Sequence, residues 1–123
     1  MSTDQPARGR EQASLEVRVR TVAAGRHLVT AAGTLDIRTA PQLSEVLQPL
    51  LEADGHTVLA DLSGVTFLDS TGLTCLIAGY RTTRITGARL ALIAPSERVR
   101  HMLALTGTDQ VLRSYPTTEA APD

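Results

Sequence analysis

Apolar and polar residues alternate within residues 15–22, near the start of the chain. A period of two is typical of a strand that buries one face and leaves the other in water. Ala24-Gly25 indicates a turn directly after this strand. The apolar residues within 27–32 then predict a second strand, which we expect to pair with the first as a hairpin.

Three later segments carry apolar residues at helical spacing. The first helix is predicted to begin after Thr39, because a threonine followed three residues later by Gln42 forms a capping-box pattern, and to run to about residue 52. The second helix follows residue 69, and the third opens at residues 95–97. We expect Gly87 to end the second helix and Gly107 to end the third.

Between the helices, residues 58–62 form a nearly continuous apolar run, which is typical of a central strand covered on both faces. We expect a loop over 63–69, a strand over 90–94 and a last short strand over 111–114. Two early strands followed by alternating helices and strands predict an α/β domain with a mixed β-sheet of about four to five strands covered by α-helices. This domain spans 14–115, and the polar ends, 1–13 and 116–123, are expected to be flexible tails.

The composition limits the function as well as the fold. Hydrophobic residues make up 42% of the chain, enough for one core, but aromatic residues make up only 2%, so single-stranded nucleic acid would find no stacking platform. The net charge is −1 and the arginines are scattered, which argues against a direct nucleic-acid partner. The chain has no lysine, which excludes a P-loop and Schiff-base chemistry. We therefore predict a binding protein without catalytic residues or a cofactor.

Cysteine and histidine indicate no metal site. The single cysteine, Cys75, excludes an intramolecular disulfide and a zinc site made of cysteine pairs, and we expect it to be a packing residue. His27, His56 and His101 lack the close spacing of metal ligands. The first ten residues contain no apolar signal-peptide core, and no stretch approaches the ~20 apolar residues that span a bilayer. We expect no membrane segment and a cytoplasmic protein.

The most informative stretch is the end of the central strand and the start of the second helix. Asp69, Ser70 and Thr71 are all residue types that accept hydrogen bonds from the free N–H groups of a helix N-terminus. One interpretation is that they only cap the helix. The other is that Ser70 carries a phosphate, because the helix macrodipole and the free N–H groups stabilise negative charge there. The residue types alone leave both interpretations open.

The same stretch has the pattern of a known family. The segment DLSGV at 61–65, followed by LDSTGL at 68–73, resembles the signature of anti-sigma-factor antagonists in the STAS superfamily. The segment GTLDIRTAP at 33–41 resembles the family's entry into its first helix, and residues 99–107 resemble its third helix. The resemblance covers about 15–114 and implies a single STAS domain. Thr74 departs from it, because the family often has glycine at that position.

The resemblance implies a phosphorylation site at Ser70, modified by a partner that is both an anti-sigma factor and a serine protein kinase. It implies that the unphosphorylated antagonist binds this partner and frees the sigma factor, that the phosphorylated form lets go, and that a serine phosphatase restores binding. Asp69 and Thr71 match the neighbours of the phosphorylated serine, and Asp36 matches an acidic residue in a nearby loop. We expect these three residues and Gly72 to lie at the partner interface.

Two alternatives to the phosphorylation switch remain open. A STAS domain can also serve as a subunit of a stressosome-like scaffold or of a lipid transporter, and Ser70 would then act without a phosphorylation switch. The second alternative, from a different class of function, is weak nucleotide binding, which the resemblance allows although the sequence has no phosphate-binding loop.

Overall fold

The computed structural model describes residues 14–122, and the predicted flexible tail over 1–13 lies outside them. The described chain forms five strands, β1 (Leu15–Ala23), β2 (Arg26–Leu35), β3 (Thr57–Leu68), β4 (Arg89–Ile93) and β5 (Ser114–Tyr115). It forms three helices, α1 (Ala40–Leu51), α2 (Ser70–Thr86) and α3 (Glu97–Thr106), and a 3-10 turn at Thr108–Gln110. The predicted α/β class, with a mixed sheet and covering helices, is confirmed.

The strands follow one another across a single sheet in the order β1-β2-β3-β4-β5. β1 and β2 pair antiparallel through a turn in which Gly25 has φ 69°, which confirms the predicted hairpin. The other neighbours pair parallel, since each connection crosses over through a helix or a longer segment. The carboxyl ends of β2, β3 and β4 therefore lie along one edge of the domain, where the loops before α1, α2 and α3 begin.

The central strand is covered on both faces, as its continuous apolar run predicts. Val58 and Ala60 are fully buried in the main cluster with the helices. Leu59, between them, points to the opposite face and is buried against Ile93 and Ala121 in a smaller cluster. Ala121 belongs to the predicted C-terminal tail, yet it contacts the sheet. The predicted flexibility of residues 116–123 stays a prediction.

The prediction of a loop over 63–69 is wrong, because β3 continues to Leu68. Its second half pairs with the end of β2, with Gly64 opposite Ala32 and Leu68 opposite Leu35. A Cβ on Gly64 would lie 2.8 Å from the Cβ of Ala32, so the glycine that suggests a loop instead allows the two strands to approach closely. At two register shifts β3 has one residue more than β2, and these bulges interrupt the apolar alternation that would otherwise reveal a strand.

The predicted capping box at α1 is also wrong. Thr39 has helical backbone angles and its side chain makes no cap hydrogen bond. Its hydroxyl instead donates to the carbonyl oxygen of Thr34 at 2.7 Å and accepts from the N–H of Asp36 at 2.9 Å. The Gln42 amide donates to the carbonyl oxygen of Leu15 at 3.5 Å and does not return to the cap. Competing partners in the preceding loop and in β1 explain the difference.

The remaining elements agree with the sequence except at their ends. Gly87 and Gly107 close α2 and α3 in the left-handed conformation, and the side chain of Ser96 caps α3. The last strand is displaced from the predicted 111–114 to Ser114–Tyr115, because a 3-10 turn occupies residues 108–110. None of the helices in the part of the chain that the structure describes is long and apolar enough to cross a membrane.

Candidate functional site

The carboxyl ends of β2 and β3 bring the predicted site residues to one place. Leu35 and Leu68, the last residues of the two strands, are opposite each other in the parallel register. The N–H of Asp69 donates to the carbonyl oxygen of Leu35 at 3.3 Å. The loop that begins with Asp36 and the first turn of α2, which begins with Ser70, are therefore neighbours.

Asp69 is the N-cap of α2, in extended conformation with φ −108° and ψ −174°. Its Oδ1 accepts a hydrogen bond from the N–H of Gly72 at 3.0 Å. Ser70 is exposed and is the first residue of the helix, and Thr71 beside it is half-buried. The N–H groups of these two residues have no acceptor within the helix, because the first turn of any α-helix leaves its donors unpaired. An anion attached to Ser70 would meet donors and the positive end of the dipole.

Gly72 lets the first turn of α2 press against the end of β2. A Cβ at this position would lie 2.6 Å from the carbonyl oxygen of Leu35 and 2.7 Å from Cδ1 of Leu68. Gly72 is buried, and its small size fixes the height of the helix above the sheet. The structure gives Gly72 a packing contact, and its position at the partner interface stays a prediction.

Asp36 organises its own loop. Its Oδ1 accepts from the N–H groups of Arg38 at 2.9 Å and Thr39 at 3.2 Å, and the Arg38 guanidinium lies 3.4 Å from Oδ2. Desolvation acts to raise the pKa of Asp36, but the backbone hydrogen bonds from Arg38 and Thr39 and the charge of Arg38 outweigh it, so the pKa is lowered below its ordinary value. The carboxylate is therefore ionised at neutral pH and fixes the shape of the loop.

Two exposed apolar side chains flank these residues. Ile37 follows Asp36 and is 70% exposed, and Phe67, near the end of β3, is 38% exposed. The guanidinium of Arg98 lies 5.0 Å from the centre of the Phe67 ring, a cation–π distance. Sequence reasoning did not single out Ile37; its signal was a large apolar residue in a polar loop, next to a carboxylate already assigned to the site. We call Ile37, Phe67 and Ser70 the exposed surface of the site.

Cys75 lies one turn beyond Thr71 on α2 and faces inward. It is buried, and its Sγ lies 3.8 Å from the carbonyl oxygen of Ala40 at the start of α1. Burial raises the pKa of the Cys75 thiol to about 11, so it is protonated at neutral pH. The position agrees with a packing residue, as predicted, and the raised pKa does not favour redox chemistry.

The structure pairs two histidines that are far apart in the sequence. His27 Nε2 and His56 Nδ1 are 3.0 Å apart, since β2 and β3 begin side by side. This pair is at the amino ends of the parallel strands, opposite the end that carries Ser70, so neither ring is placed to deprotonate the serine. Within residues 14–122, no group of three or more histidine, cysteine, aspartate or glutamate side chains could hold a metal ion.

Comparison with known proteins agrees with this geometry. The family model of the STAS domain matches residues 16–121. The anti-sigma-B factor antagonist of Staphylococcus epidermidis is 31% identical over 91 residues, which cover 74% of this chain and 84% of that protein. The crystal structure of an anti-sigma factor antagonist from Mycobacterium paratuberculosis is 30% identical, covers 87% of this chain and 90% of its own, and has a TM-score of 0.75.

The fold is also that of the Bacillus protein SpoIIAA, solved in two forms. The unphosphorylated form has a TM-score of 0.70 at 18% identity and covers 85% of this chain and 92% of its own. The phosphorylated form has a TM-score of 0.66 at 17% identity and covers 85% of this chain and 96% of its own. The family model matches almost the whole of the described chain, and the two relatives named first are matched over most of their own length. These matches show that this chain belongs to the STAS domain family, among the anti-sigma-factor antagonists.

Proposed function

We propose that this protein binds an anti-sigma factor that is also a serine protein kinase, and that phosphorylation of Ser70 by this partner ends the interaction. The observation that carries the proposal is the position of Ser70, exposed on the first turn of α2 and adjacent to the Asp36 loop. The names of its relatives support an anti-sigma factor as the partner. The two forms of SpoIIAA indicate that this fold accommodates phosphorylation.

Each residue of the candidate site has a physical role in this proposal. Ile37 and Phe67 supply apolar area that a partner can bury. Asp36 and Asp69, the carboxylates that organise the loop and the helix cap, hold Ser70 at a fixed position. Thr71 carries the second hydroxyl group of the first turn. Mass spectrometry would distinguish phosphorylation of Thr71 from that of Ser70.

Phosphorylation acts on the interface and leaves the fold intact. The phosphate adds about 1.5 to 2 negative charges at a helix N-terminus, which tolerates them. In the docked complex the same charge would be buried beside apolar groups and the carboxylates of the site. A loss of about 3 kcal/mol in binding free energy is enough to weaken the complex over a hundredfold. A serine phosphatase would then restore the binding form.

The proposal implies a cytoplasmic protein, because a partner that controls transcription and consumes ATP acts inside the cell. It also implies that the chain is regulatory and catalyses no reaction of its own. Nucleotide binding by this chain is not part of the proposal, since the nucleotide belongs to the kinase. Isothermal titration of the purified protein with ATP and GTP is expected to give no heat of binding.

The decisive test compares affinity captures from the source organism with wild type, Ser70→Ala and Ser70→Asp as baits. We expect an ATP-binding serine kinase to be retained by Ser70→Ala and lost with Ser70→Asp. Thr117→Asp is the matched charge control, because Thr117 is exposed far along the chain and its Oγ1 accepts the Ala120 N–H, as an aspartate oxygen can. This control should retain the kinase.

The alternative role, as a subunit of a scaffold or transporter without a switch, predicts a different outcome. In that case Ser70→Ala and Ser70→Asp would capture the same proteins in the same amounts. Incubation of the captured kinase with ATP and wild-type protein gives a second, independent result. Phosphate found on Ser70 in the wild type, and absent from Ser70→Ala, supports the switch; phosphate at other residues only would contradict it.

A further inference from the structure

The two edges of the sheet differ in length. β5, at one edge, has 2 residues, whereas β1, at the other, has 9. An edge strand offers unpaired backbone groups to another strand, and natural proteins limit such edges with short strands, proline, charged side chains or bulges. β1 contains no proline, and its charged residues, Glu16, Arg18 and Arg20, include both signs, so they disfavour some pairings and favour others. Its one register irregularity lies between Thr21 and Ala23, so residues 15–21 form a regular edge.

The hydrogen bonds of β1 establish which of its residues face outward. The carbonyl oxygen of Ser14 accepts from the N–H of Thr34, so Ser14 faces the neighbouring strand β2. Because backbone groups alternate along an antiparallel strand, Leu15, Val17 and Val19 direct their N–H and C=O groups away from β2. The Gln42 amide, 3.5 Å from the carbonyl oxygen of Leu15, lies on this outer side and agrees with the assignment.

The side chains of the edge divide between two faces. Leu15 and Val17 contact the main core beneath the helices, and Val19, on the same face, is 48% exposed. Glu16 and Arg18 lie on the opposite face and form an ion pair of 2.8 Å in which both side chains are largely exposed. The edge thus has an apolar row and a charged row, in which one acidic residue, Glu16, is followed by two basic residues, Arg18 and Arg20.

We propose that β1 pairs antiparallel with β1 of a second copy of this chain, about a two-fold axis at Val17, to give one continuous ten-stranded sheet. In this register Leu15 lies opposite Val19 of the second copy. Glu16 lies opposite Arg18 of the second copy, and by symmetry this charge pair occurs twice. Outward-facing residues oppose outward-facing residues, so the backbone groups of the two edges can form a regular ladder.

The charges on β1 select this register over its neighbours. A two-fold axis at Arg18 would set that arginine opposite itself, and an axis at Val19 would set Arg18 opposite Arg20. Like charges directly opposite each other destabilise a strand pair, whereas opposite charges stabilise it. The axis at Arg18 would also set Glu16 opposite Arg20, but together with the like-charge pair of Arg18 with itself. Of these three registers, only the axis at Val17 combines apolar pairs on one face with opposite-charge pairs and no like-charge pair on the other.

The contact is small, so the dimer forms at high concentration. A pairing of seven residues buries less area than the roughly 800 Å² per partner of a standard stable interface, which places its dissociation constant in the micromolar range or above. The inference does not depend on the proposed function, because β1 and Ser70 are on different elements. Ser70→Asp is therefore expected to leave dimerisation unchanged, and a failure of one proposal leaves the other standing.

Sedimentation equilibrium from micromolar to millimolar concentration tests the proposal through a charge exchange. Glu16→Arg sets arginine opposite arginine, and Arg18→Glu sets glutamate opposite glutamate, so each should weaken the dimer about tenfold. The double variant, Glu16→Arg with Arg18→Glu, restores opposite charges and should recover the dimer. Arg100→Glu, the same charge change at an exposed position of α3, is the control and should have no effect.

Val19→Pro gives a second result that does not involve charge. It removes an outward N–H while leaving the N–H groups that face β2 in place, so the dimer should weaken although the monomer keeps its circular dichroism spectrum. A wild-type protein that stays monomeric at millimolar concentration would overturn the proposal. A double charge variant that is as weak as the single variants would overturn the register.

Discussion

Gly72 fixes the contact between α2 and the end of β2 by lacking a side chain. Its added Cβ would meet the carbonyl oxygen of Leu35 at 2.6 Å, and a backbone oxygen cannot swing aside. Gly72→Ala should therefore lower the free energy of unfolding by about 1–3 kcal/mol, the usual cost of overpacking. Urea denaturation monitored by circular dichroism measures this loss.

Gly79, on the same helix, is the matched control. Its added Cβ would lie 3.1 Å from Cδ1 of Leu51 and 3.2 Å from Cδ2 of Leu90, both at the ends of flexible side chains. Alanine is also the better helix former by about 1 kcal/mol. Gly79→Ala should therefore cost much less than Gly72→Ala, and equal losses at the two positions would refute the close-packing role of Gly72.

Ser70 and Asp69 are neighbours in sequence with different consequences for stability. Ser70→Asp adds negative charge to the first turn of α2, where the dipole favours it, so the free energy of unfolding should change by less than about 0.5 kcal/mol. Asp69→Ala removes the acceptor of the Gly72 N–H and should cost about 1 kcal/mol. Thermal unfolding distinguishes the two; a large loss with Ser70→Asp would make Ser70 a structural residue.

The buried thiol of Cys75 should be unreactive in the native protein. Its pKa is raised by burial from 9.0 to about 11, and thiol reagents attack the thiolate. Labelling at pH 8 should be slow in buffer and fast in urea. Because the raised pKa favours the neutral thiol in the folded state, this contribution to stability is complete below about pH 9 and is lost as the pH rises towards about 11. Rapid native labelling would contradict the assignment.

At the scale of the elements, the sequence predicted helix ends better than strand ends. Gly87, Gly107 and Ser96 are local signals, since each acts on the backbone groups of its own helix terminus. The end of β3 depends on a distant partner, because Gly64 and Val65 become a strand only by pairing with the second half of β2. Local patterns contain no information about that partner, so the predicted loop was wrong.

The Asp36 loop shows the same dependence at the entry to α1. Asp36, Ser70 and their neighbours were predicted from a family pattern, but the hydrogen bonds that turn Thr39 away from its cap come from the fold. Sequence reasoning therefore located the site residues near one another without predicting how each one is held. It also missed Ile37, whose exposure follows from the shape of this loop.

The lowered pKa of Asp36 predicts a pH dependence of this loop. Hydrogen bonds from Arg38 and Thr39 favour the carboxylate in the folded state, so its contribution is present above the ordinary value of 3.8 and is lost as the pH falls through the lowered pKa. The difference in melting temperature between wild type and Asp36→Asn should be constant from pH 7 to about pH 5 and should change only in more acidic buffer. A difference that changes around neutral pH would point to another group.

For the whole molecule, the fold class and the succession of elements could be predicted from local patterns, whereas the strand order is known only from the structure. The hairpin was predicted because its strands are adjacent in sequence. The parallel pairing of β2 with β3 was not predicted. The contact between His27 and His56, which lies across the starts of these strands, was therefore not predicted either. Contacts between residues 29 positions apart leave no periodic signal in the chain.

The carboxyl-terminal limit of the domain depends on the contacts that residues 118–122 make with the sheet. Ala121 is buried against Leu59 and Ile93, and the Arg26 guanidinium donates to the carbonyl oxygens of Thr118, Ala121 and Pro122 at 3.1–3.4 Å. A domain ending at residue 115 would lose these contacts and expose the smaller cluster.

Deletion of residues 116–123 should therefore lower the free energy of unfolding by about 1–2 kcal/mol, from lost apolar burial and hydrogen bonds. Ala121→Asp, which places a charge against Leu59, should reproduce most of this loss in the full chain. Ala120→Asp is the matched control, because Ala120 is exposed and its change should be neutral. If all three variants unfold like the wild type, the segment is a tail and the domain ends where the sequence pattern placed its limit. A loss shared by the deletion and Ala121→Asp would extend the domain to residue 121, because only a packed segment can transmit the change at Ala121 to the sheet.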